Sequence, residues 1–107
     1  MSVKDITTSK EYEKYRNQSG LVVIKCSTEW CGPCKQIQPA FEKLAKEYEN
    51  TASFLHVDVE LDDLMDVEDL QDIRGVPTFK FIKNGKEVDA FSGADIKKVK
   101  ALVEKHC

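Results

Sequence analysis

An α/β domain with a mixed sheet is the fold class this sequence predicts, and three observations carry it. Runs with strand character alternate with runs of helical period along the whole chain. Residues 21–27 are β-branched and apolar at their start and largely without alternation, the pattern of a central strand covered on both faces. Near the end, two consecutive strand-like runs flank Asn84-Gly85, a dipeptide that favours a tight antiparallel hairpin. The predicted order is β-α-β-α-β-α-β-β-α, a central mixed five-stranded sheet flanked by four helices.

The first strand is placed at residues 3–6. Thr8 and Glu11 have capping-box spacing, so a helix is expected over 9–17. After Gly20 comes the central strand, with Lys25 its one charged member. Ile37, Phe41, Leu44, Ala45 and Tyr48 then recur at helical spacing. Pro39 inside that helix is expected to kink it, because the ring removes a donor and crowds the preceding turn. A third strand is placed at 54–59. In residues 60–72, Leu64, Val67 and Leu70 recur, followed by Ile73, and a short helix with a narrow apolar stripe is expected. Strands at 78–82 and 86–91 form the hairpin. Ile96, Val99, Leu102, Val103 and His106 line a final helix.

A chain of 107 residues fits one domain, spanning 1–107. At this size roughly two-thirds of the unfolded surface is buried, enough for a core without metal or disulfide staples. The net charge of −3 lacks the basic footprint of a nucleic-acid binder, and no apolar run approaches a membrane span. Asp5 and Lys10 interrupt any apolar stretch of a secretory leader. The expected setting is therefore reducing and intracellular: the cytoplasm, with the nucleus as a second location. Cysteines there are free, metal-bound or catalytic rather than structural bridges.

The chemistry is concentrated in Trp30-Cys31-Gly32-Pro33-Cys34-Lys35, directly after the central strand. If a helix begins at Cys31, both sulfurs lie at its N-terminus, where unpaired N–H groups and the macrodipole favour a thiolate. That field, worth up to about 2 kcal/mol in a partly buried geometry, lowers a thiol pKa by roughly one unit. Cys31, at the exposed start, is expected to attack a disulfide, and Cys34, a turn further in, to displace the product. Gly32 allows close approach, and Pro33 stiffens the first turn where no N–H is needed. Zinc is disfavoured: a structural site needs four ligands, and Cys26, His56, His106 and Cys107 supply no second paired spacing.

Around the motif, Leu21-Val22-Val23-Ile24, Gln38-Pro39-Ala40-Phe41, Val57-Asp58-Val59, Gly75-Val76-Pro77-Thr78-Phe79, Lys83-Asn84-Gly85 and Phe91-Ser92-Gly93-Ala94 fall in the order seen in thioredoxins. Over nearly its whole length the chain resembles that family. The resemblance implies the thioredoxin fold and a protein-disulfide reductant. It implies recharging by thioredoxin reductase, with NADPH as electron source, no cofactor bound to the chain itself, and a monomer acting on disulfide-containing client proteins. It makes Pro77 a cis-proline facing the cysteines, with Val76 pairing with an extended substrate segment. Trp30, Gly32, Pro33, Val76, Pro77, Gly93 and Ala94 become the apolar docking surface.

The chain departs from that family at Lys25, where a buried acid is usual, and at Cys26, where an aromatic residue is usual. A lysine cation lowers thiol pKa values where a carboxylate raises them. Lys25 either snorkels to water with no part in catalysis or, desolvated, acts as a base. Water, Lys25, Asp58 and His56 are the candidates to deprotonate Cys34. Cys26 reads as an apolar filler, Cys107 as a tail thiol and His106 as a packing residue. Seven of the thirteen residues in 60–72 are acidic, which makes that segment either a solvated face or a rim steering basic partners. Two other readings of the whole are an isomerase or oxidant domain and a binding scaffold. Gly32-Pro33 offers no cation to make the pair more oxidising, and the intact cysteine pair disfavours a scaffold.

Overall fold

The computed structural model describes residues 2–107 and orders the elements β1 (Val3–Ile6), α1 (Ser9–Arg16), β2 (Leu21–Ser27), α2 (Gly32–Glu47), β3 (Ala52–Asp58), β4 (Thr78–Lys83), β5 (Lys86–Ser92) and α3 (Ile96–His106). The five strands form one sheet in the order β1-β3-β2-β4-β5. β1, β3 and β2 are parallel, β4 runs against β2, and β5 runs against β4. β2 is therefore central, and all of its residues are buried. Its lack of alternation follows from two different cores on its two faces. Leu21 and Val23 join Phe41, Phe54 and Phe81 under α2 and α3, whereas Val22, Ile24 and Cys26 pack with Tyr12 of α1 and with Leu64.

Local chemistry sets the ends of the helices. Thr8 Oγ1 accepts the Glu11 N–H at 3.1 Å and opens α1. Asp95 accepts the N–H groups of Lys97 and Lys98 and opens α3. α2 continues through Pro39 to Glu47. Asn84 and Gly85 both have positive φ, as the expected hairpin turn requires. Asn84 also accepts the Gly20 N–H through its side chain and donates its own N–H to the Gly20 carbonyl, which ties the hairpin to the start of β2.

The acidic segment corrects the sequence expectation. It forms two 3₁₀ turns, Asp62–Leu64 and Glu68–Leu70, so three α-helices flank the sheet rather than four. Leu64, Val67, Leu70 and Ile73 recur at intervals of three, the 3₁₀ period, and such helices stop after one short run. The turns press Leu64, Val67 and Leu70 into the α1-side core.

This topology gathers the loops. Since β2 and β3 are parallel and β4 opposes β2, the ends of β2 and β3, the start of β4 and the end of β5 lie at one edge of the sheet. The cysteine motif, the Val76-Pro77 segment and Gly93-Ala94 all adjoin that edge.

Candidate active site

Cys31 is the N-cap of α2, and its Sγ accepts the N–H of Cys34 at 3.1 Å. An orphan donor of the first turn thus points at the sulfur that must carry negative charge. Gly32 and Pro33 occupy the first two helical positions and are exposed. Cys31 and Cys34 are joined in a disulfide with Cα atoms 5.2 Å apart. In this bridged state Cys31 is 8% exposed and Cys34 2%. The expected exposed position of Cys31 is corrected accordingly. The bridge and the Cys34 N–H hold its sulfur against the first turn, and it is only the more accessible of the two. Trp30, by contrast, is 84% exposed beside it.

Beneath that turn the sheet changes character. The α2-facing positions of β2 and β3 begin apolar, with Leu21, Val23 and Phe54, and end polar, with Lys25 and Ser27 on β2 and His56 and Asp58 on β3. These four residues, with Thr28, Glu29, Cys34, Lys35 and Gln38, line a cleft of about 290 Å³. Lys25 is 1% exposed, so it does not snorkel. Its Nζ donates to the Cys34 carbonyl at 2.9 Å and to Gln38 Oε1. Burial lowers its pKa to about 8, against the opposing pull of Glu42 and Asp5.

His56 is bonded on both ring nitrogens. Asp5 Oδ1 lies 3.1 Å from Nδ1, and Ser27 Oγ lies 2.7 Å from Nε2. A carboxylate only accepts, so Nδ1 carries the hydrogen; in the neutral ring Nε2 then accepts from the Ser27 hydroxyl. Burial, and then the Lys25 cation, hold the imidazole pKa below its ordinary value. The sequence named His56 and Asp58 as candidates but gave Ser27 and Asp5 no part. The available signal for Ser27 was the pair of polar residues at alternate positions, Lys25 and Ser27, at the end of the strand just before the motif.

The Val76–Pro77 bond is cis, and the Pro77 carbonyl accepts the Gly93 N–H at 2.9 Å, drawing the two predicted docking segments together. Ala94 is exposed, Val76 and Gly93 are half-buried, and Pro77 itself is buried. Cys26 is buried and free, and burial pushes its thiol pKa up. Cys107 is free and exposed, and His106 bonds Asp89 at 3.0 Å and lies beside Phe81. Among the described residues, no group of three or more His, Cys, Asp or Glu side chains is placed to hold a metal.

Two thiols that close on each other within the first turn of a helix are a reversible two-electron store, and the protein is a thiol–disulfide oxidoreductase. Comparison with known proteins makes this specific. The family model described as Thioredoxin matches residues 3–105. The chain belongs to the thioredoxin family. It is 42% identical over 104 residues to horse (Equus caballus) thioredoxin, covering 95% of this chain and 96% of that one. It is 36% identical to thioredoxin 1 of Plasmodium falciparum, over 97% of both chains. A solved structure of Plasmodium falciparum thioredoxin superposes with a TM-score of 0.87 at 38% identity, over 97% of this chain and 99% of that one.

Proposed function

We propose that this chain reduces disulfides in client proteins and is re-reduced by thioredoxin reductase, with NADPH as the electron source. The observation that carries the reading is the position of the pair: Cys31 Sγ at the cap of α2, receiving an N–H of the first turn, with Cys34 more deeply buried behind it. In the reduced protein the Cys31 thiolate attacks one sulfur of a client disulfide. An S–S bond forms to Cys31, and one client sulfur leaves as thiolate. Cys34, once deprotonated, attacks Cys31 Sγ and releases the second client sulfur. The client gains two electrons and the Cys31–Cys34 disulfide is restored. Both electrons reside in the cysteine pair, so the chain's own residues need no bound group.

Trp30, Gly32, Pro33, Val76, Gly93 and Ala94 supply the surface around the sulfurs, and Val76 offers backbone to an extended client segment, as in strand addition. The buried Pro77 contributes by shaping that loop. Lys35 joins the cleft wall on the other side of Cys34. The chain works as a cytoplasmic monomer, and among the described residues no helix is long and apolar enough to cross a membrane.

The test is turnover of a protein disulfide in the presence of thioredoxin reductase and NADPH. Wild type is expected to turn over. Cys34→Ser is expected to stop at a mixed disulfide through Cys31, seen as an added client mass, and Cys31→Ser to form none. A Cys34→Ser protein that captured no client would refute the assignment.

A further inference from the structure

Resolution of the mixed disulfide needs the Cys34 proton to go somewhere, and Cys34 is almost sealed. Two hydrogen-bonded chains lead outward from the cleft beneath it: Lys25 through Gln38 to Glu42, which begins at a cation already holding its proton, and a second that contains an imidazole. Ser27 Oγ, on the cleft wall, lies 2.7 Å from His56 Nε2, and His56 Nδ1 lies 3.1 Å from Asp5 Oδ1. Asp5, on the edge strand β1, has a side chain 76% exposed. The chain thus crosses three strands, from the buried central strand to solvent, with polar atoms in contact throughout.

We propose that Ser27, His56 and Asp5 form the proton exit of Cys34. The proposal rests on the dithiol mechanism above and adds a path to it. In the resolving step the Cys34 S–H bond breaks, its proton passing to Ser27 Oγ through water in the cleft. The Ser27 proton moves to His56 Nε2, so the net change is one S–H bond lost and one N–H bond gained. The imidazolium is held against Asp5, and the Cys34 thiolate attacks Cys31 Sγ. No electrons move along the chain; they leave with the client thiolate. His56 acts through Ser27 and is a positioning and relay residue.

The charges around His56 suit an acceptor. Asp5 of β1 and Asp58 of β3 stabilise the imidazolium, whereas Lys25 of β2, its register partner, opposes it. Glu29 and Lys35 on the cleft wall are of opposite sign, and Glu42 of α2 acts through Lys25. With Lys25 charged, His56 is neutral at pH 7 and able to receive a proton.

The test mixes the reduced full-length protein with a chromogenic aromatic disulfide, dithiobis-nitrobenzoate, in a stopped-flow instrument. Attack by Cys31 releases one coloured thiolate, and resolution by Cys34 releases a second. Replacing His56 by Gln is expected to slow the second release at least about a hundredfold at neutral pH, the lower end of general-base effects, and to leave the first unchanged. Two further variants move the acid limb of the second phase in opposite directions. Asp5→Asn, at an exposed site, removes a group that raises the His56 pKa, so the limb moves to lower pH. Lys25→Met removes a cation that lowers it, so the limb moves to higher pH. A second release unaffected in His56→Gln, or limbs that stay in place in both other variants, overturns the relay. Should His56→Gln not fold, the Asp5→Asn limb decides. Absence of the first release in wild type would instead overturn the dithiol reading itself.

Discussion

Lys25 and His56 are register partners on adjacent parallel strands, and both line the cleft under the first turn of α2. Two basic side chains share a site where burial disfavours charge. Their pKa values are both lowered, and the His56 value is lowered partly by Lys25 itself. Lys25 keeps the proton at neutral pH because its intrinsic affinity for it is far higher. The redox pair therefore sits above a fixed positive charge bonded to the Cys34 carbonyl.

That charge is expected to shift the redox poise. A cation beside a thiolate stabilises it, and a stabilised thiolate makes a dithiol more oxidising. Lys25→Met is expected to make the pair more reducing, by on the order of 30 mV for each pKa unit the thiolate loses. Equilibration with dithiothreitol and glutathione buffers measures it. A shift towards a more oxidising potential would contradict the placement of the charge.

The same burial makes stability depend on alkaline pH. Lys25 has a folded pKa of about 8 against an ordinary 10.5, so the unfolded chain binds the proton more tightly. Between those values the unfolded state carries more protons, and stability attributable to Lys25 rises with pH. Urea midpoints of oxidised wild type, referred to oxidised Lys25→Met, are expected to climb across that window. The reference also cancels Tyr12, whose raised pKa acts in the opposite direction above its ordinary range. A flat difference would mean that Lys25 keeps its ordinary proton affinity in the folded chain, as a well-solvated lysine does.

The strands, the hairpin and the cysteine cap were legible in the sequence because each is a local pattern: unbroken apolar residues at 21–24, Asn84-Gly85, and a sulfur just ahead of Gly32-Pro33. The acidic segment was misread as one helix although its spacing of three stood in the sequence, since three and 3.6 are hard to separate over so few turns. Lys25 was visible as an anomaly, yet only packing showed that Cys34 and Gln38 hold it inside. The Ser27–His56–Asp5 chain was out of reach, because its members come from three strands and meet only through the register of the sheet.

Outside the site, Asp69 is expected to be the most sensitive surface-proximal carboxylate. It accepts from Tyr12 Oη at 2.6 Å and from Arg16 Nε and Nη2 at 2.8 and 3.1 Å, fastening the second 3₁₀ turn to α1. Burial alone raises its pKa, but the Arg16 and Tyr12 donors together outweigh burial and hold it below the usual aspartate value. Asp69→Asn removes a charge-assisted pair and is expected to destabilise by about 2–3 kcal/mol at neutral pH. The depressed pKa means that this stabilisation is present above the ordinary aspartate range and is lost as pH falls through the folded value. The gap between wild type and variant should therefore close in acid urea titrations.

Trp30 separates docking from chemistry. Its side chain is almost wholly exposed, beside a sulfur that is not, so it contributes little to the fold. Trp30→Ala is expected to leave the unfolding free energy from urea titration within about 0.5 kcal/mol of wild type. An exposed aromatic next to the reacting atom is positioned to be covered by a client, and truncating such an anchor commonly costs about 2 kcal/mol of binding, roughly thirtyfold. The loss should fall on kcat/KM for a folded protein disulfide and spare a small aromatic disulfide, which is too small to cover both the sulfur and the indole. Equal losses on both substrates would place Trp30 in the chemistry of Cys31 rather than in client recognition, and no loss on either would remove it from the docking surface.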